Sequence, residues 1–164
     1  MKKFAFALLL VVMTFALCAC GGGGEGGEAA ADTVDFGWFT CVYPEGFGES
    51  DEYATSEIER EDADGYTTGK IKFYLYEGDP AAEAAHKAEL LKSEVSGTVD
   101  YAGITWQVVP YDFNGIPSAD LYGDLGDGYY AQISIMMCYE ETEIVDTFMN
   151  SLVFAGADVL AEYE

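Results

Sequence analysis

The side chains able to carry out covalent or acid–base chemistry are few, and their spacing decides what they can do. His86 is the single histidine. Without a second histidine, a Gly-x-Ser-x-Gly or a His-Glu-x-x-His, the nucleophilic and zinc arrangements of familiar hydrolases lack required members. His86 itself reads as an exposed or edge residue on a helix, beside Glu83 and Leu90. Thirty carboxylates leave paired-carboxylate glycoside chemistry open by composition, but such an enzyme needs a sugar-sized cleft that a small chain rarely builds. Nine acids between Glu45 and Asp64 invite a calcium loop. With Gly65 as the sharp-turn glycine of an EF-hand, Asp62 and Asp64 take ligand positions, but Arg60 stands first and no acid follows at the required distance. The run therefore reads as a solvated acidic face. The expectation is a chain that is not an enzyme, with no cofactor and no metal site.

Aromatic side chains beside carboxylates offer binding chemistry instead. Twelve tyrosines are present, and the stretches Tyr111-Asp112-Phe113-Asn114 and Asp127-Gly128-Tyr129-Tyr130 set phenol rings next to acids, a combination that holds sugars or peptides. Tyr111, Asp112, Asp127, Tyr129 and Tyr130 are the candidate ligand surface, and the alternative is that they are ordinary strand-edge tyrosines. The charge balance narrows the partners. Net charge is -23, with 30 acids against seven cations, two of which are Lys2 and Lys3. Nucleic acid is excluded, because binding it requires clustered cations that release counterions. An anionic membrane surface is disfavoured for the same Coulombic reason.

The positioning elements begin with an apolar leader. Lys2 and Lys3 precede sixteen uncharged residues from Phe4 to Ala19, short for a bilayer span and laid out as a signal peptide. Leu17-Cys18-Ala19-Cys20 resembles the lipobox of bacterial lipoproteins, with Cys18 a less usual occupant of its position. That resemblance implies cleavage after Ala19, a diacylglycerol thioether on Cys20, and a membrane attachment through the acyl anchor on the outer face of the cell membrane. The glycine-rich run from Gly21 to Ala31 has no side chain able to build a core and reads as a tether. Gly21 after the cysteine and the glycine tether look like those of a Gram-positive surface lipoprotein. The expected organisation is a leader over 1–19, the lipidated cysteine and tether over 20–34, and one globular domain over 35–164 with a short acidic tail.

Within the domain, short β-branched and aromatic runs alternate with Gly, Pro, Asn and Asp. Trp38 to Tyr43 predicts a strand with Phe39, Cys41 and Tyr43 on one side, stopped by Pro44-Glu45-Gly46. Thr55 to Arg60 and Lys70 to Tyr76 predict two strands around Asp62-Ala63-Asp64-Gly65, with Ile71, Phe73 and Leu75 facing the core. Asp79-Pro80 is a helix start, followed by a stripe of Ala81, Ala84, Ala85, Ala88 and Leu91 and a Glu83–Lys87 pair on the other side. Strands follow over Thr98–Tyr101 and Ile104–Asp112. Hairpins are expected at Asn114-Gly115 and at Gly126-Asp127-Gly128, which leads into a strand over Tyr129–Cys138. A helix over Glu141–Ser151 with Ile144, Val145 and Phe148 inward, a closing strand over Leu152–Phe154 and a frayed acidic tail complete the chain. The fold class is α+β, an antiparallel sheet of about six to seven strands with helices packed on its faces.

Phe39-Thr40-Cys41-Val42-Tyr43-Pro44-Glu45-Gly46-Phe47, Gly103-Ile104-Thr105-Trp106, Gly128-Tyr129-Tyr130 and Ser151-Leu152-Val153-Phe154 resemble the PsbP/Mog-type fold. The resemblance implies helices around an antiparallel sheet and a role among binding and assembly accessories, hence a noncatalytic domain for a protein partner at the cell surface. A carbohydrate- or cell-wall-binding module is the alternative, and a small hydrolase the third reading. Cys41 and Cys138 are the thiols left after leader cleavage and acylation of Cys20, and export permits a disulfide between them. Against a bridge, Cys41 shares its apolar side with Phe39 and Tyr43, while Cys138 ends a strand whose Ile133, Ile135 and Met137 point to the opposite face. Two buried, unpaired thiols are the expectation.

Overall fold

The computed structural model describes residues 33–50 and 56–163. The leader, Cys20, the glycine-rich run and the start of the strand expected from Thr55 lie outside the described residues. Among the described residues the strands form two sheets. A three-stranded antiparallel sheet joins β1 (Thr33–Asp35), β2 (Phe39–Val42) and β10 (Val153–Phe154), with β2 in the middle. β1 begins two residues ahead of the boundary expected for the domain.

The larger sheet has seven strands. These are β3 (Gly48–Glu49), β4 (Glu57–Glu61), β5 (Thr67–Glu77), β6 (Gly97–Tyr101), β7 (Ile104–Phe113), β8 (Ile116–Gly126) and β9 (Tyr129–Met136), in spatial order β3-β4-β5-β9-β8-β7-β6. Neighbours are antiparallel throughout. The β7–β8 and β8–β9 turns carry Asn114-Gly115 and Asp127-Gly128, each with both residues at positive φ, the geometry whose twist matches that of the flanking strands.

Period-two alternation splits this sheet into two unlike faces. On one, Ile58, Ile71, Phe73, Trp106, Val108, Leu121, Ile133 and Ile135 are buried in the main core. The small sheet and two helices, α2 (Thr142–Ser151) and α3 (Ala157–Leu160), pack there through Phe39, Cys41, Val145, Phe148, Met149 and Leu160. Phe39 meets Phe73 edge-on at 4.8 Å between ring centroids. The tail is thus an anchored helical turn with Leu160 only 2% exposed, where the sequence reads as frayed.

The other face carries α1 (Pro80–Leu91), which lies over β7 and β8. Asp79 caps it by accepting from the Ala81 N–H at 2.8 Å, and Pro80 opens it. Only Ala84 and Ala88 of the expected alanine stripe are buried; Ala81 and Ala85 are exposed. A helix lying across a sheet touches it along a narrow stripe, and two small side chains a turn apart fill that stripe. The expected Glu83–Lys87 pair is displaced as well, because Lys87 turns inward to Asp120.

Cys41 and Cys138 are free thiols, both buried. Burial pushes their pKa values up to about 12 and about 11, and in Cys138 the nearby Glu141 charge adds to this. The face expected for Cys138 is corrected: it lies in the same core as Ile133 and Ile135. Met137 adopts φ 65°, which breaks the alternation and turns the chain inward, with the Met137 N–H held by the Ser118 hydroxyl at 3.0 Å.

Candidate functional site

The helix-bearing face of the large sheet concentrates the polar and aromatic side chains. Residues directly opposite in an antiparallel pair share a face, so the register assembles it. Glu57 stands opposite Lys72 and Glu59 opposite Lys70; Lys72 pairs with Ser134, Tyr74 with Gln132 and Tyr76 with Tyr130. Across β8 and β7, Ser134 continues to Asp120 and Val109, Gln132 to Tyr122, and Ser118 to Tyr111. Three of the five cations beyond the leader, Lys70, Lys72 and Lys87, reach this face.

Each of these lysines holds a carboxylate. Lys70 Nζ lies 2.8 Å from Glu57 and 3.2 Å from Glu59, and Lys72 Nζ lies 2.9 Å from Glu57. Glu57, almost fully buried, also accepts from the Ser50 hydroxyl at 2.9 Å. Burial pushes the Glu57 carboxyl upward, but Lys70, Lys72 and Ser50 outweigh it and hold the pKa below the usual carboxylate range.

Under α1 the arrangement differs. Asp120 is 1% exposed, and Lys87 Nζ reaches its Oδ2 at 3.1 Å from the helix above. Tyr111 and Tyr122 turn their hydroxyls toward Asp120, and both phenols are driven well above their usual range, first by burial and then by that charge. They remain protonated donors. Ala84, Ala88, Val109, Tyr122 and Tyr130 form a second small core beside them.

Beyond the helix, toward β5 and β9, the face stays open to solvent. Tyr74 and Tyr76 stack at 6.1 Å with planes 25° apart, and Tyr76 continues to Tyr130 at 5.5 Å. Tyr76 is 43% exposed, and Tyr74, Lys72 and Gln132 are half-buried. The result is an amphipathic aromatic strip edged by an amide and by neutralised lysines, suited to noncovalent recognition.

The five residues expected to form a ligand surface do not come together. Tyr111 and Tyr130 share the helix-bearing face. Tyr129 points the other way into the main core, since neighbours along a strand alternate. Asp112 sits by the β7–β8 turn, where its carboxylate accepts the Gly115 N–H, and Asp127 occupies the β8–β9 turn at the far end of β8. Sequence reasoning missed Lys87, Asp120, Tyr122, Tyr74 and Tyr76. The available signal was Lys70-x-Lys72-x-Tyr74-x-Tyr76, interleaved with Ile71, Phe73 and Leu75, and an acid in the middle of the apolar run Ala119-Asp120-Leu121.

A separate groove of about 430 Å³ opens at the start of α2, lined by Glu45, Arg60, Glu141, Thr142, Ile144 and Thr147 among others. Arg60 grips Glu141 with two hydrogen bonds of 2.9 and 2.7 Å and lies over the Phe47 ring, which draws the Glu141 carboxylate away from capping its own helix. His86 lies exposed on α1, 3.7 Å from Glu83. Among the described residues no three His, Cys, Asp or Glu side chains gather to hold a metal ion, and no helix is long and apolar enough to cross a membrane.

No family model and no curated protein matches this chain. Solved structures similar to it include one from Bacteroides thetaiotaomicron VPI-5482, 15% identical over 76% of this chain with a TM-score of 0.45. The match spans about half of that structure, 48% of its length. Another is LpqN of Mycobacterium tuberculosis, a protein involved in cell envelope biogenesis, 15% identical over 79% of this chain and 87% of its own, with a TM-score of 0.48.

Proposed function

We propose that this chain is a noncatalytic, lipid-anchored extracytoplasmic domain that binds a protein partner at the surface of a Gram-positive cell, on a scaffold of the PsbP/Mog type. Anchoring is supported by the lipobox-like Leu17-Cys18-Ala19-Cys20 and the glycine tether behind it. The observation that carries binding is the half-covered sheet face. A sheet face turned to water is normally coated with charge, yet here Tyr74, Tyr76 and Tyr130 form a continuous aromatic strip, and the adjacent lysines are internally neutralised. Amphipathic rings of this kind give contact area at little cost in side-chain entropy.

Two experiments test the reading. Metabolic labelling with a fatty acid should mark the wild type and leave Cys20→Ala unmarked; label in the variant removes the anchor. A photo-cross-linking amino acid at position 76, expressed in intact cells, should yield one discrete protein adduct, while the same probe at exposed position 66 should not. Retention on purified cell-wall polysaccharide that is lost in Tyr74→Ala/Tyr76→Ala, with no protein adduct, would establish the carbohydrate-binding alternative in its place.

A further inference from the structure

Two carboxylates on the helix-bearing face are buried, and they are satisfied in different ways. Glu57 has Ser50, Lys70 and Lys72 around it. Asp120 has the ion pair to Lys87, but among the described residues neither of its oxygens nor the Tyr122 hydroxyl completes a hydrogen bond of good geometry. A carboxylate this deeply buried would be costly without that cation, because the protein would then return little of the hydration it removes. The groups gathered around it are donors, the Lys87 ammonium and the Tyr111 and Tyr122 hydroxyls. A primary ammonium supplies three N–H donors and a full positive charge on a compact head, whereas a hydroxyl or amide supplies no charge.

The cation that fills this role is not fixed in the sheet. It hangs from α1, which packs on the sheet through Ala84 and Ala88, so the ammonium reaches Asp120 from above on a four-carbon stem. We infer that Asp120, with the hydroxyls of Tyr111 and Tyr122, is a binding site for a primary ammonium group of lysine-side-chain type, and that Lys87 is its resident occupant. Removing the Lys87 head vacates a site that a small alkylammonium ion then fills. The inference does not depend on which partner the open half of the face recognises.

The test uses the full-length chain in detergent, with n-butylammonium chloride as probe and tetramethylammonium chloride, which has the charge but no N–H, as the control at equal ionic strength. Lys87→Ala should lower the urea unfolding midpoint, and n-butylammonium should raise it back along a saturable curve. At ten times its dissociation constant the amine shifts the folded-to-unfolded ratio about tenfold. The wild type and the double variant Lys87→Ala/Asp120→Asn should give no saturable response, and tetramethylammonium should restore none of the three. If Lys87→Ala alone fails to fold, n-butylammonium must restore its native tryptophan fluorescence while the double variant folds without it. Equal response in all three proteins, equal rescue by tetramethylammonium, or an undiminished midpoint for Lys87→Ala overturns the assignment.

Discussion

Replacing Gly123 by alanine measures how tightly the main core is fitted between β7 and β8. Gly123 faces Trp106 in the register, and the indole lies flat over it. An added Cβ would fall 2.7 Å from Trp106 Cε3 and 2.8 Å from Cδ2 and Cζ3, against about 3.5–4.0 Å for a relaxed carbon contact. The ring would have to retreat by roughly an ångström, and it has nowhere to go. Trp106 is fully buried, its Nε1–H donates to the Tyr101 carbonyl at 3.2 Å, and the Phe154 ring lies 6.1 Å away. Overpacking of this kind costs about 1–3 kcal/mol, offset by about 0.4–1 kcal/mol because alanine narrows the unfolded ensemble. The expected net loss is about 1–2 kcal/mol, read as a lowered midpoint in urea by tryptophan fluorescence. In a Trp106→Phe background, where Trp38 still reports, the smaller ring should leave the same substitution costing less than about 0.5 kcal/mol. A Gly123→Ala protein as stable as wild type, or an equal cost in both backgrounds, refutes the packing argument.

The pH dependence of stability should carry the signature of Glu57. Its carboxyl is held low by Lys70, Lys72 and Ser50, so its contribution is complete above the unfolded glutamate value of about 4.3 and is lost as pH falls through the lower folded value. Wild-type urea midpoints measured from pH 6 down to pH 3 should therefore drop more steeply than those of Glu57→Gln. Leu160→Ala should cost about 2–4 kcal/mol in urea unfolding, whereas a tail packed loosely would lose under about 0.5. Cys41 and Cys138 should resist a thiol reagent in the folded chain and both be labelled after unfolding without reductant, located by mass spectrometry; a bridged pair would leave both unlabelled.

Local signals were the legible ones. Asp79-Pro80 marks the start of α1, Asn114-Gly115 and Asp127-Gly128 mark their hairpins, and Ile71, Phe73 and Leu75 declare the core side of β5. What escaped is set by contacts between residues distant in the chain. Lys87 forsakes a partner one helical turn away for Asp120, because an uncompensated buried carboxylate outweighs an exposed i, i+4 pair. Gly69 and Gly123 lie within strands and are flat spots onto which Phe47 and Trp106 press. Met137 gives no composition cue for positive φ, so strict alternation, extended one residue too far, places Cys138 on the wrong face. The candidate site suffered most. Tyrosine beside acid is a pattern of adjacent residues, and adjacent residues on a strand face opposite ways; the spacing that assembles the candidate strip is i, i+2 along β5 and across the ladder.

β1 also decides how this domain would answer a pull. Any force transmitted along the chain from the amino-terminal side enters at Thr33, on an edge strand held to β2 by three residue pairs, Thr33 with Val42, Val34 with Cys41 and Asp35 with Thr40. Those pairs peel before the seven-stranded sheet is strained, and the next stop is Phe36, wedged against Phe39 and Phe73 at 4.9 and 4.5 Å. A load applied at Thr33 would meet this three-pair ladder before it reached the main core.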